Sequence, residues 1–374
     1  MKSILFLTGT RADYGKLKTL IKAVEESHEF CARVFVCGMH LLDKYGSTYK
    51  EILADGYSDI HIANDINFGR NTAFNLAGTI KSLESYVQEA RPDLIVVHGD
   101  RADALAGAIV GALENIMVAH IEGGELSGTI DDSIRHAITK FAHLHFTCNN
   151  EASERLLQLG EEPRRIFTIG SPDIDAMLHT PRPSIETVKQ TFGIPFDIYS
   201  IALFHPVTTE YTSMDKKTHE FVDALLKSDE NYVVIYPNND LGNEFIMSEY
   251  ERLKKNDRFQ LFPSIHFESF LTLLENSELI IGNSSAGIRE SGVYGIPGID
   301  IGSRQQGRYS LASLPNVQHT DYDSNEILDA IKSADQYRVT VTAYGTGNST
   351  ESFMNVLNDN ATWSLPIQKQ FCDQ

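Results

Sequence analysis

"TGTRADYGKL", residues 8–17, follows the apolar run "ILFL" and precedes a segment whose apolar residues recur at helical spacing. A buried strand, a glycine turn and a helix in that order open a nucleotide-binding βαβ unit. The lettering departs from the two common phosphate-binding turns. Gly9 and Gly15 do not complete G-x-G-x-x-G, and no Gly-Lys-Ser/Thr closes a phosphate loop. In place of a bare glycine cradle stand Arg11 and Asp13. Gly9 is expected to permit a tight turn, and Arg11 either to carry positive charge to a bound phosphate or to pair with Asp13 at the surface.

Working outward, the same alternation continues. "ARVFVCG", "DLIVVHG", "IMVAHIEGG" and "LHFTCN" are continuous apolar runs of strand length, separated by "TAFNLAGTIKSLESYVQEA" and "ADALAGAIVGALEN", which have helical periodicity. Continuous apolar strands between amphipathic helices predict a parallel sheet covered on both faces, an α/β fold. The pattern pauses over residues 170–200, where four prolines predict a linker with one helix in it. It then resumes with "IALFHP", "NYVVIYPNN", "RFQLFPS", "ELIIGNSS" and "GIPGIDIG" as strands. Two Rossmann-like halves are expected, residues 1–178 and 179–349.

The totals limit what such a chain binds. Acidic residues outnumber basic ones 51 to 32, a net charge of −19 over 374 residues, so no global positive field exists to attract nucleic acid or an anionic membrane. An anionic ligand has to be held by a few local donors, helix N-termini and single arginines. No window approaches the roughly 18 apolar residues of a membrane span, and the N-terminal run is too short for a signal peptide core, so a cytoplasmic protein is expected. Cys31, Cys37, Cys148 and Cys372 show no C-x-x-C spacing and no paired His/Cys cluster. Free thiols are expected, and neither a structural metal nor a disulfide framework.

In open parallel sheets, ligands lie beyond the carboxyl ends of the strands, and the unusual chemistry of this sequence sits there. In the second half, "GNSSAGIRE" begins a helix with Asn283, Ser284 and Ser285. Ala286 and Gly287 leave room at its first turn, and Glu290 follows as a carboxylate for ribose hydroxyls. Arg304 and Arg308 come after the next strand, His205 ends "LFHP", and Asn238 and Asn239 end "YPNN". Phe262 and Phe267 are core residues or walls for a flat base. In the first half, "VVHGDR" brings His98, Asp100 and Arg101 to one strand end. "HIEGGELSGTIDDSIRH" brings His120, Glu122, Glu125, Asp131, Asp132, Arg135 and His136 to the next, and "CGMH" adds His40. Asp131 or Asp132 serves equally as a helix cap. Carboxylates facing one pocket drive their pKa values apart, leaving an acid and a base.

Taken in order, "TGTRADYGKL", "GMHL", "HGDRADALAGA", "HIEGGELSGTIDDSIRH", "GSPDIDAM", "FHPVTTE", "YPNND" and "GNSSAGIRE" resemble the hydrolysing UDP-N-acetylglucosamine 2-epimerases over nearly the whole chain. The "EGGELSG" lettering is closer to that branch than to the non-hydrolysing one. The resemblance implies a GT-B fold, with the active site in the cleft between two Rossmann-like domains and a last segment, about 350–374, returning to the first. It implies Asp100, Glu122 and Asp131 as catalytic carboxylates, supported by His40, His98, His120 and His205. It places UDP on Ser284, Ser285, Gly287, Glu290, Arg304 and Asn239, with Arg11 and Arg101 at the phosphates. It implies no cofactor, no metal, and a homodimer or homotetramer. The substrate is UDP-N-acetylglucosamine, on a route to sialic acid, or the UDP-N,N'-diacetylbacillosamine analogue, on a route to legionaminic acid. A GT-B glycosyltransferase would need the same nucleotide grip plus an acceptor site, and a non-catalytic UDP-sugar sensor would need the grip without the carboxylates.

Overall fold

The apolar runs become strands of two parallel sheets in a computed structural model that describes residues 1–43, 46–69, 71–127, 130–238 and 240–373. The first sheet holds β1 (Lys2–Thr8), β2 (Phe30–Val36), β3 (Ile60–Ile62), β4 (Leu94–His98), β5 (Met117–Ile121), β6 (Leu144–Thr147) and β7 (Ile166–Thr168). The second holds β8 (Ser200–Leu203), β9 (Tyr232–Ile235), β10 (Phe259–Phe262), β11 (Ile280–Gly282), β12 (Gly298–Ile301) and β13 (Val317–Thr320). The orders are β3-β2-β1-β4-β5-β6-β7 and β10-β9-β8-β11-β12-β13. Each therefore reverses direction once, between β1 and β4 and between β8 and β11. That reversal opens a crevice at the carboxyl ends, where such sheets bind ligands.

The continuous apolar lettering follows from burial on both faces. Ile4 and Phe6 of β1 join one core with Val34, Leu94 and Phe146, while Leu5 and Leu7 point the other way, to Phe35, Ile95 and Val97. Successive strand side chains alternate faces, so a strand covered twice has no polar position to spare.

The chain divides into two compact units, Met1–His179 with Tyr344–Gln374, and Thr180–Ala343. The returning segment begins earlier than the expected 350. Ser171 N–H donates to the Tyr344 carbonyl at 2.7 Å, and the helix Ser349–Asn358 starts on Asp175, whose carboxylate accepts from the N–H groups of Ser349 (3.0 Å) and Thr350 (2.7 Å). That helix buries Phe353 and Leu357 in the first unit's core. The proline-rich connector carries two helices, Pro172–His179 and Ile185–Phe192, where one is expected. All four cysteines are free thiols. Among the described residues, no helix is long and apolar enough to cross a membrane.

Candidate active site

The turn after β1 is built differently from the expectation. Thr10 caps the helix Arg11–Glu25, its side chain accepting from the Asp13 N–H. Arg11 points outward: its side chain is 63% exposed and pairs with Glu51 at 3.2 Å, not with Asp13. Asp13 is buried instead, because it falls on the apolar stripe with Tyr14, Leu17 and Leu20. Gly9 is needed for room. A Cβ there would stand 2.4 Å from an Asp103 carboxylate oxygen.

Asp13 begins a chain of charge that crosses the switch point. Its Oδ1 lies 3.5 Å from His98 Nδ1, and His98 Nε2 lies 3.1 Å from Glu122 Oε2. Burial opposes a charge on His98, but the two carboxylates outweigh it and hold the imidazole above its ordinary pKa. Burial likewise opposes ionisation of Asp13, yet His98 and Thr10 keep its carboxyl below the usual range. Lys16, one turn after Asp13, donates to Glu122 Oε2 at 2.8 Å and pairs with Asp173 at 2.9 Å. Ser171 donates to Glu122 Oε1 at 2.5 Å. Glu122 thus sits 2% exposed among three donors. Hydrogen bonds to the charged form favour it, so this is a seat for a carboxylate anion.

Its backbone is equally constrained. Glu122 has φ of 61°, the left-handed region a residue with a side chain seldom adopts. The turn is held by its N–H donating to the Phe146 carbonyl (2.8 Å) and by Arg135 Nη1 donating to its own carbonyl (2.6 Å). Arg135, itself buried, also forms an ion pair with Asp100 and lies 3.7 Å from Glu125. One guanidinium therefore gathers Asp100, Glu122 and Glu125 at the ends of β4 and β5. Asp131 is half-buried in the first turn of the helix Ile130–Phe141. Its neighbour Asp132 braces the preceding loop, accepting from the Ser127 N–H at 2.9 Å.

Two of the expected catalytic histidines turn inward. His40 is fully buried, with its ring nitrogens 2.9 Å from the Thr8 hydroxyl and 2.6 Å from that of Thr48, and burial pushes its pKa down to about 4. His120 is also fully buried and donates from Nε2 to the Gly99 carbonyl at 2.7 Å, its pKa driven well down by burial. Both are neutral rings that tie strand ends together and are not open to a ligand. Arg101 is exposed at the start of the helix Ala102–Leu113.

In the second unit the organising residue is Asn283, fully buried at the end of β11. Its side chain accepts from the His205 N–H (2.7 Å) and donates to the His205 carbonyl (2.8 Å), locking the ends of β8 and β11 together. Its own carbonyl accepts from Arg304 Nη1 (3.0 Å) and Gln305 Nε2 (2.8 Å). His205 Nδ1 accepts from the Asn238 N–H at 3.2 Å, which leaves the ring proton on Nε2. Burial, then Arg304, pushes its pKa down to about 4, so His205 is a neutral hydrogen-bond donor.

Ser284 and Ser285 precede the helix Ala286–Arg289, which is a single turn and passes through Glu290 into the 3-10 turn Ser291–Tyr294. So short a helix has little dipole, and anion binding here falls to the local N–H groups and to Arg304. A Cβ at Gly287 would meet nothing closer than 3.8 Å, so there is open space beside that turn. Arg308 is exposed and Asn239 lies outside the described residues. Phe262 packs edge-on against Phe192 at 5.7 Å, and Phe267 is exposed. Motif reading leaves Lys16 and Ser171 without a role, names Arg135 without giving it one, and reads Asp13 as a surface partner of Arg11 and Asn283 as a helix start, where the structure makes them a buried partner of His98 and a lock between strand ends. The available signal was position: Asp13 is an acid within a helix's apolar stripe.

Two successive Rossmann-like units, each with its polar residues at the switch point, define the GT-B class of nucleotide-sugar proteins. A family model for UDP-N-acetylglucosamine 2-epimerase matches residues 22–358. The chain is 45% identical to a UDP-N-acetylglucosamine 2-epimerase of Neisseria meningitidis serogroup B, over all of this chain and 99% of that one. It is 29% identical to a UDP-N,N'-diacetylbacillosamine 2-epimerase (hydrolyzing) of Legionella pneumophila, over all of this chain and 99% of that one. The solved UDP-GlcNAc 2-epimerase of Methanocaldococcus jannaschii superposes with a TM-score of 0.78 at 20% identity, over 96% of this chain and 99% of that one. The chain belongs to the UDP-N-acetylglucosamine 2-epimerase family.

Proposed function

We propose that the protein is a hydrolysing UDP-N-acetylglucosamine 2-epimerase, converting UDP-N-acetylglucosamine and water to N-acetylmannosamine and UDP. The observation that carries this is buried Arg135, which pairs with the Asp100 and Glu125 carboxylates and holds the backbone carbonyl of Glu122, whose carboxylate is held in turn by Lys16, His98 and Ser171. A sugar sensor has no use for so constrained a carboxylate group. The 45% identity to a UDP-N-acetylglucosamine 2-epimerase supports the choice of sugar.

The C2 proton of the substrate is not adjacent to a carbonyl, so it becomes acidic only as the C1–O bond to UDP breaks and the ring takes on oxocarbenium character. Ser284, Ser285 and Arg304 stabilise the departing diphosphate, with Gly287 leaving room, Glu290 on the ribose and His205 donating from Nε2. Asn239, Arg11 and Arg101 complete the nucleotide set in this proposal, Arg11 and Arg101 from exposed positions. Glu122, seated as an anion, stabilises the cationic ring. Asp100 and Asp131, the more open carboxylates, carry the proton transfers. Loss of UDP and the C2 proton gives 2-acetamidoglucal. Water then adds at C1 while a proton reaches C2 from the opposite face.

The test is incubation with UDP-N-acetylglucosamine alone. Free UDP and N-acetylmannosamine are expected, with 2-acetamidoglucal detectable early. Binding without product over hours would return the protein to the sensor class, and turnover only with an added acceptor would make it a transferase. The 29% identity to the Legionella enzyme supports a second donor. Side-by-side rates on UDP-N,N'-diacetylbacillosamine decide between the two, with faster turnover expected on UDP-N-acetylglucosamine. Product supply to sialic acid synthesis in the cytoplasm, and a homo-oligomeric state, belong to the same proposal.

A further inference from the structure

The "GSPDIDAM" segment bears on the catalytic group at two points, Ser171 directly and Asp173 through Lys16. Ser171 is 1% exposed, and its hydroxyl donates to Glu122 Oε1 at 2.5 Å. The main chain around it is fixed by a second strand of polypeptide. Its N–H donates to the Tyr344 carbonyl at 2.7 Å, and Gly170 and Gly345 cross without room for a side chain on either. A Cβ on Gly345 would stand 2.9 Å from the Gly170 Cα, and one on Gly170 would stand 3.0 Å from the Gly345 Cα. Both glycines also lie in the left-handed region, at φ of 116° and 86°.

We propose that Ser171 is a positioning residue for Glu122, and that the Gly170–Gly345 crossing sets where its hydroxyl stands. This rests on Glu122 acting as proposed above. Oε2 is held by Lys16 and His98, and Ser171 donates to the other oxygen, so removing its hydroxyl loosens the carboxylate's orientation about Oε2. With Ser171 both oxygens are fixed. The crossing joins the point where the chain nears its exit from the first unit to the point where it has just returned. A disturbance of either path therefore reaches Glu122 through the Ser171 hydroxyl. The charged groups near this carboxylate include Lys16 and, behind His98, Asp13; Asp173 beyond Lys16; and Arg135 on its carbonyl.

The experiment compares Ser171→Ala, Gly345→Ala and Glu122→Gln, reading kcat, its pH profile and UDP affinity by calorimetry. Ser171→Ala is expected to lower kcat by about 10- to 100-fold, the effect of one hydrogen bond to a charged group. It should move the acidic limb upward by about one pH unit with UDP affinity unchanged. Ser171→Cys, a weak donor, should fall between. Gly345→Ala should reproduce the Ser171→Ala profile, and the double variant should be no worse than the poorer single one. Normal kcat and an unmoved acidic limb in Ser171→Ala overturn the proposal even if Glu122→Gln is inactive. An active Glu122→Gln overturns the catalytic assignment on which it rests. Should Ser171→Ala fail to fold, a folded Gly345→Ala with wild-type kcat and acidic limb overturns it as well.

Discussion

Glu122 shows how one residue's neighbours decide its state. Lys16, His98 and Ser171 hold three donors against a carboxylate that water hardly reaches, and each donor favours the anion. Glu122→Gln, Asp100→Asn and Asp131→Asn are each expected to lower kcat at least about 100-fold while leaving UDP affinity intact, as measured by steady-state kinetics and calorimetry. Normal turnover in all three would remove the mechanism. That Asp100, Glu122 and Glu125 lie together behind two strands was legible in the sequence, because polar residues dense at the ends of buried strands leave a local mark. Their supports were not. Lys16 and Ser171 reach Glu122 from positions 106 and 49 residues away, Asp13 acts on it only through His98, and no local pattern records such a meeting. Arg11 is the converse: the most conspicuous letter of the opening turn, it ends as a surface partner of Glu51.

At the level of elements, the strands with continuous apolar lettering are the ones buried on both faces. The short β3, β7 and β13 were not legible. Each is three or four residues long and lies at or beside a sheet edge, half-exposed in β3 and β7 and mixed in β13, so none carries an apolar run. The helix Ser349–Asn358 is a different case, since its two deep anchors meet a core made some 200 residues earlier. Phe353 lies 4.9 Å from the Phe146 ring and 6.4 Å from Phe6. Phe353→Ala is expected to destabilise the first unit by about 3–5 kcal/mol, read as a lower urea midpoint. A midpoint equal to wild type would mean that the returning helix contributes little to that core.

For the whole molecule the buried histidines set the response to acid. Burial pushes His40, His143 and His205 each down to about 4, against 6.5 when unfolded. Between those values the unfolded chain binds more protons, so stability falls as pH drops from about 6.5 toward 4, by about 1.4 kcal/mol per pH unit for each group. His98 has the opposite sign: its raised value contributes stability below 6.5 that is lost as pH rises through it. His120 and His145 are pushed down by burial as well, so five such histidines against one predict a lower Tm at pH 5 than at pH 7.5, checked by thermal melts followed by circular dichroism. An equal or higher Tm at pH 5 would contradict the neutral, buried assignment of these rings.

By itself the sequence determined the two parallel sheets and the strand ends where chemistry collects, because burial on two faces and polarity at a switch point both leave local marks. Only the tertiary structure decided which polar residues meet. Hydrogen bonds and ion pairs act over about 3 Å in space whatever the distance along the chain, so the seat of Glu122 exists only once Lys16, His98, Arg135, Phe146 and Ser171 are brought to it.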